Sequence, residues 1–325
     1  MPLLGLGSGV ILQYRLLGST GLMVSNLCFG VLTIGPLQAN LSIAEGAAVV
    51  EYALGKGVNF LDTAECYGTY QYIRKALDSQ RYKPVIVSKS YAYTAQGMKD
   101  SVERALDEME LPVIDVFMLH EQESEKTLEG HREALEFLVQ AKTRGYIKAI
   151  GISTHSIAGV MAGADHPLVE VIHPLINCAG IGIMDGTPQS MAAAIQYARL
   201  REKGIYAMKA LAGGNLIGQA YEAFAYVRDI PGLASVAVGM QSLDEVDLNL
   251  TWFAGKRDEN LEQRVAKSPR RLLIEEWCEG CGSCVEACRY QALELHNGRV
   301  IVDQSRCALC GYCSAYCPQF CVKVV

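Results

Sequence analysis

Short apolar runs recur along the first three quarters of the chain, each followed by a longer amphipathic stretch. Eight of them read SNLCFG at 25–30, VNFLD at 58–62, PVIVSK at 84–89, VIDVFMLH at 113–120, IKAIGIS at 147–153, VEVIHPLIN at 169–177, GIYAMKAL at 204–211 and ASVAVGM at 234–240. Runs such as VIVS and VAV are apolar on both faces, as buried parallel strands should be. The stretches 43–56, 96–109, 126–144 and 188–203 carry the apolar spacing of helices. Ahead of them, 12–17 and 22–24 flank the turn Gly18-Ser19-Thr20-Gly21 and predict a hairpin. Eight strand–helix units over about 250 residues is the size and rhythm of a (β/α)8 TIM barrel. The fold class expected for residues 1–255 is therefore α/β, a closed barrel. An open doubly wound sheet is the alternative, but no G-x-G-x-x-G follows the first strand.

The pattern changes near the end. Residues 256–271, GKRDENLEQRVAKSPR, are highly charged and form a join that can run as a helix until Pro269 breaks it. Residues 272–325 then read as a small α+β module. Within it, 293–303 alternates apolar and polar residues around Asn297-Gly298, a strong hairpin signal. Of the 12 cysteines, only Cys28, Cys66 and Cys178 precede this module. Cys28 and Cys178 read as core, and Cys66 as incidental to its loop.

The module's cysteines fall in two matching runs. Cys278-x-x-Cys281-x-x-Cys284-x-x-x-Cys288 is repeated 29 residues later as Cys307-x-x-Cys310-x-x-Cys313-x-x-x-Cys317, followed by Pro318. Three thiolates two residues apart can wrap three corners of an iron–sulfur cubane from one loop. The fourth, a helical turn onward, points at the other cluster. One 4Fe–4S site is expected from Cys278, Cys281, Cys284 and Cys317, the other from Cys307, Cys310, Cys313 and Cys288. Gly282 and Gly311 follow the second ligand of each run and allow a tight turn. Cys321, 29 residues after Ala292, reads as packing, and Arg289 stands where the second run has proline. Zinc is the other reading, but Cys₄ zinc sites usually pair two C-x-x-C units across a longer loop. The module resembles a bacterial ferredoxin that holds two 4Fe–4S clusters.

Half the residues are hydrophobic and a fifth are charged, which suits a well-buried core. A net charge of −6 gives no basic footprint for nucleic acid. The opening MPLLGLGSGVIL lacks the basic start and cleavage site of a signal peptide. No apolar run is long enough to span a bilayer. Crowded, unpaired cysteines suit a reducing cytoplasm and an anaerobic host.

Chemistry in a TIM barrel lies at the C-terminal ends of its strands. Asp62 ends VNFLD, Tyr67 follows in TAECYG, Lys89 ends VIVSK and His120 ends VFMLH. With DTAECYG, VIVSKS, FMLHEQ and GYIKAIGIST in order, residues 12–255 resemble the aldo/keto reductase family. The whole chain resembles the aldo/keto reductases of anaerobic microbes that carry a C-terminal 4Fe–4S module.

That resemblance implies a catalytic tetrad of Asp62, Tyr67, Lys89 and His120 acting on a small carbonyl or alcohol. Tyr67 would be the general acid, Lys89 would ease its proton release, Asp62 would hold Lys89, and His120 would bind the substrate oxygen. It also implies NAD(P), with Ser153, Thr154 and Asn177 toward the nicotinamide, and Lys209 where a stacking residue is usual. Gly213 and Gly214 would let backbone approach a phosphate, as would Gly239, Gln241 and Ser242 at a helix start. Residues 240–249 hold no arginine or lysine, so nothing selects NADPH. Clusters pass one electron and nicotinamide a hydride. A ferredoxin or flavoprotein partner is therefore expected. The alternative function is an electron-transfer subunit docked on such a partner, with little nicotinamide-dependent turnover.

Overall fold

The computed structural model describes residues 12–80 and 82–325, so the signal-peptide reading of the opening lies outside the described residues. Two short strands, β1 (Tyr14–Leu16) and β2 (Met23–Ser25), pair antiparallel as the predicted hairpin. Eight parallel strands follow: β3 (Leu27–Gly30), β4 (Phe60–Asp62), β5 (Val85–Ser90), β6 (Ile114–Leu119), β7 (Ile147–Thr154), β8 (Val171–Pro174), β9 (Gly204–Ala207) and β10 (Ser235–Gly239). β10 pairs with both β9 and β3, so the barrel closes.

Helices cover the outside: α1 (Ile43–Gly55), α2 (Tyr70–Leu77), α3 (Ala95–Met109), α4 (Glu125–Gly130), α5 (Arg132–Thr143), α6 (Ile157–Asp165), α7 (Pro188–Leu200), α8 (Ala220–Arg228) and α9 (Leu243–Phe253). The single helix predicted at 126–144 is two. Gly130, a weak helix former, ends α4, and the His131 ring bonds back to the Thr127 carbonyl at 2.8 Å. β8 and β9 are also shorter than their apolar runs. Asn177, Cys178 and Lys209 lie beyond them in loops, and Cys178 is exposed rather than core.

Strand alternation divides the apolar side chains. Outward positions such as Leu61, Ile86, Phe117 and Ile150 pack under the helices. Inward positions, Phe60, Val87, Val116, Met118 and Tyr206 among them, fill the barrel. Leu17 and Val24 of the hairpin join that inner cluster and close its N-terminal floor. The opposite mouth is left for chemistry. Among the described residues no helix is long and apolar enough to cross a membrane.

The join forms α10 (Glu259–Ala266), capped by Asp258. The module behind it has β11 (Leu272–Ile274), α11 (Ser283–Ala287), β12 (Leu293–His296), β13 (Arg299–Val302) and β14 (Val322–Val324). β11 pairs with β14, and β12 with β13 across Asn297-Gly298. Gly282 and Gly311 occupy equivalent left-handed positions, φ 81° and 76°, opening α11 and its short counterpart Tyr312–Tyr316.

This module is docked on the barrel mouth. The Val324 amide donates to the Gly213 carbonyl at 2.9 Å, and Asn215 Nδ2 donates to the Val322 carbonyl at 3.1 Å. Gly214, at φ +87°, lies so close that a Cβ there would sit 2.0 Å from the Val324 oxygen. Gly214→Ala is expected to cost about 2 kcal/mol or more and to loosen the docked module. Faster proteolysis within residues 256–271 would register it; unchanged proteolysis and unfolding would contradict this account of the docking.

Candidate active site and cysteine module

Three consecutive strand ends, and the loop after the first of them, build one wall of the mouth. Asp62 closes β4, Lys89 lies near the end of β5, and His120 directly follows β6. Tyr67 comes from the short helical turn Glu65–Tyr67 between β4 and α2. That turn is anchored by the Glu65 carboxylate, which accepts from Ser90 Oγ at 2.7 Å, Ser101 Oγ at 2.8 Å and Arg104 at 2.9 Å. Thr63 and Thr69 bridge its two ends at 2.7 Å. The loop therefore carries its own fastening, and Tyr67 has a fixed place.

Lys89 and Asp62 form a buried ion pair. Lys89 Nζ donates to Asp62 Oδ2 and to the Thr63 carbonyl, each at 2.8 Å, and the lysine side chain is 1% exposed. Below them, Tyr206 donates to Asp62 Oδ1 at 2.6 Å. His173 stacks on the Tyr206 ring at 3.8 Å and donates from Nδ1 to the Tyr206 carbonyl at 2.7 Å. Burial pushes the Asp62 carboxyl upward, but Lys89, His173 and two hydrogen bonds outweigh it, leaving it below the ordinary carboxylate range. Burial takes His173 down to about 4, so its ring is neutral at pH 7. Sequence reading missed Tyr206 and His173. Both occupy inward positions of their strands, and that alternation was the available signal.

Above the ion pair, Lys89 Nζ lies 5.2 Å from the Tyr67 ring centre, and the Tyr67 and His120 rings meet edge-on at 5.8 Å. Tyr91 stacks on His120 at 4.3 Å, and Cys66 Sγ is 3.9 Å from His120 Nδ1. Burial pushes the Tyr67 phenol well up, helped by Asp62, Cys66, Tyr91 and Glu121. Lys89, itself paired with Asp62, is the cation that stands against this ring. Burial, reinforced by Lys89, Lys209 and His173, drives His120 well below 6.5, so it is a neutral imidazole.

The other side of the mouth holds the residues expected for a dinucleotide, and they already have partners. Ser153 Oγ accepts from the Glu121 amide at 2.9 Å, and Thr154 Oγ1 from the Ser156 amide at 3.0 Å. Asn177 exchanges two hydrogen bonds with the Ile181 backbone at 2.9 and 3.1 Å. Lys209 Nζ donates to His155 Nε2 at 2.9 Å, and burial lowers its pKa to about 8. Gly213 and Gly214 meet the module instead of a phosphate. A Cβ on Gly239 would lie 1.9 Å from Thr33 Cγ2; the Gln241 amide donates to Glu245, and Ser242 caps α9. As these groups stand, a dinucleotide does not fit them.

The cysteines have the soft donor chemistry that their expected group takes. Cys288 of the first run lines the same cavity, of about 140 Å³, as Cys307, Cys310 and Cys313 of the second, with apolar walls from Leu272, Ala292, Leu293 and Leu309. Burial raises the Cys284 thiol to about 11, and Cys317, Cys281 and Cys278 beside it push the same way. The cavity sets Cys288 beside the second run, and Cys317 lies beside Cys284 of the first. These are the neighbours that the expected exchange requires, although among the described residues no three such ligands are already gathered round one point. Cys321 is fully buried.

The sequence profile described as the Aldo/keto reductase family matches residues 26–232, and that of a 4Fe-4S binding domain matches 272–294. The chain is 23% identical over 211 residues to L-galactose dehydrogenase of Arabidopsis thaliana, covering 55% of this chain and 66% of that protein. It is 25% identical over 199 residues to 6-dehydroglucose reductase of Novosphingobium aromaticivorans, covering 53% and 64%. The chain thus spans a little under two thirds of those relatives' length. Among solved structures, PA4992 of Pseudomonas aeruginosa, described as an aldo-keto reductase, superposes with a TM-score of 0.63 at 27% identity, over 74% of this chain and 94% of that one. The aldo-keto reductase AKR11C1 of Bacillus halodurans shares the fold at TM-score 0.63 and 20% identity, over 79% and 96%.

A charge buried without its partner is costly, so Asp62→Asn is expected to destabilise the barrel by about 3–5 kcal/mol at pH 7. Because Asp62 titrates below its unfolded value, its stabilisation is full above about pH 4 and is lost as pH falls through the lowered folded value. The deficit of the variant, measured by urea unfolding with tryptophan fluorescence, should therefore shrink in acid. A deficit that stays constant with pH would rule out the ion pair as its source.

Proposed function

Because this chain belongs to the aldo/keto reductase family, we propose that it is an oxidoreductase interconverting a small carbonyl compound and its alcohol at the Tyr67 pocket. In this reading it also holds two 4Fe–4S clusters that exchange electrons with a ferredoxin- or flavoprotein-class partner. The observation that carries the proposal is the convergence of Tyr67, neutral His120 and the Lys89–Asp62 pair on the mouth where the cysteine module is docked. Sugar- and aldehyde-type substrates are suggested by the names of the relatives, which act on galactose and dehydroglucose. So many free thiols suit a cytoplasmic setting.

The roles follow from the chemistry of each group. His120, uncharged, keeps one ring N–H to donate to the substrate oxygen and so polarise the carbonyl. Tyr67 keeps its proton at neutral pH and makes no hydrogen bond to the protein among the described residues, so its hydroxyl is free for the substrate. Reduction takes two electrons and two protons. The electron donor supplies the electrons, and the carbon takes its hydrogen from that donor or from solvent. The oxygen, becoming far more basic than a phenolate, takes its proton from Tyr67, which solvent then reprotonates. Asp62 and Lys89 fix the floor on which Tyr67 rests. When bound, the clusters supply electrons singly.

Two results test this reading. Anaerobically purified protein, offered a panel of aldehydes and sugars with NADH, NADPH or a reduced viologen dye, is expected to turn over at least one pair. Tyr67→Phe should slow that reaction about 10²- to 10⁴-fold while the fold persists. Silence with every donor and carbonyl would sink the enzymatic reading. Separately, Cys288→Ser should remove roughly half of the bound iron and acid-labile sulfide. Cys321→Ser should remove none; equal losses in the two variants would overturn the ligand assignment.

A further inference from the structure

Barrels of this kind bind phosphate groups in the loops after their seventh and eighth strands. Here those loops are 208–216, after β9, and 239–242, after β10. Both are filled by the chain itself, and by groups from beyond the barrel.

After β9, Phe320 enters from the module. It is 6% exposed, its ring centre lies 4.8 Å from Lys209 Nζ and 6.5 Å from the His155 ring, and a Cβ on Gly182 would touch it at 3.1 Å. Lys323, 5% exposed, donates to the Phe320 carbonyl and lies against Gly213. β14 then runs alongside Gly213 and Gly214, its Val324 amide donating to the Gly213 carbonyl and its Val322 carbonyl accepting from Asn215 Nδ2.

After β10, the first turn of α9 would be the natural seat of an anion. Its position is taken by a carboxylate: Glu245 accepts from the Gln241 amide at 2.7 Å and is held by Arg270 of the join at 3.5 Å. Arg264 of α10 pairs with Asp244 at 3.1 Å on the same turn. A phosphate brought there would meet Glu245, Asp244 and Asp247 with their cations already engaged.

We infer that residues 320–324, together with Arg270 and Glu245, are a built-in occupant of the dinucleotide berth, so that this barrel works without NAD(P)(H) bound in its mouth. The interactions are of the kind that close a site permanently: a main-chain hydrogen bond, a second from the Asn215 side chain, a buried aromatic ring, and glycines at the two points of closest approach. The inference is independent of whether the Tyr67 pocket reduces a carbonyl, since it concerns only what can lie beside that pocket.

The test uses anaerobic holoprotein with its iron and sulfide intact. Titration calorimetry with NADPH and with NADH, carried to millimolar ligand, is expected to show no saturable heat. Hydrogen exchange of 208–216 and 320–325 should be unchanged by either. Saturable binding of one dinucleotide per chain with slowed exchange in 208–216 would overturn the inference. Binding that leaves both segments unaffected places the ligand elsewhere and agrees with it. A Phe320→Gly variant, which leaves every cysteine in place, should lose exchange protection across 208–216. Full protection in that variant would show that something other than the module covers the loop, and would also count against the inference.

Discussion

An ammonium and a carboxylate buried together at the top of the barrel set the terms for everything around them. Neither Lys89 nor Asp62 can be left alone in that environment without a heavy cost, so the strands that carry them must hold register to within a fraction of an ångström. The remaining valences of Asp62 are met from across the barrel by Tyr206, and Tyr206 is held in turn by His173. A network satisfied on all sides is rigid, and rigidity is what a proton donor resting on it requires. Its own charges cancel, since the pair is neutral overall and His120 and His173 are uncharged.

The second organising contact is between the barrel and the cysteine module. It rests on backbone geometry more than on charge: two glycines in left-handed conformations allow a strand from more than a hundred residues away to run against the loop after β9. The barrel and the module therefore share an interface that includes residues of the mouth itself. That arrangement fastens the cysteine module to the barrel directly rather than through the join alone, which two globules on a flexible tether would not share.

Much of this was written in local pattern. Strands with apolar residues at successive positions declared a parallel barrel, and the repeat of Cys278–Cys288 at Cys307–Cys317 declared a duplication that sets Cys288 in one cavity with Cys307, Cys310 and Cys313. Asp62, Lys89 and His120 could be found because strand ends are recognisable. Tyr206 and His173 could not be singled out, because an inward aromatic or histidine looks like any core residue until its neighbour across the barrel is known. The break at His131 turned on one glycine that a broad apolar period passes over. Gly213 and Gly214 were legible as places of close approach; what approaches them depends on a docking that no local spacing encodes.

Barrels usually owe their versatility to eight loops that can be rewritten without disturbing the scaffold beneath. In this chain the loops after β9 and β10 have surrendered that freedom, because Gly213, Gly214 and Glu245 answer to partners in the module and the join. Variation in what the pocket accepts is left more to the rim where the exposed Tyr91 stacks on His120. Evolution, or a mutant library, has a narrower arc of the mouth to work with.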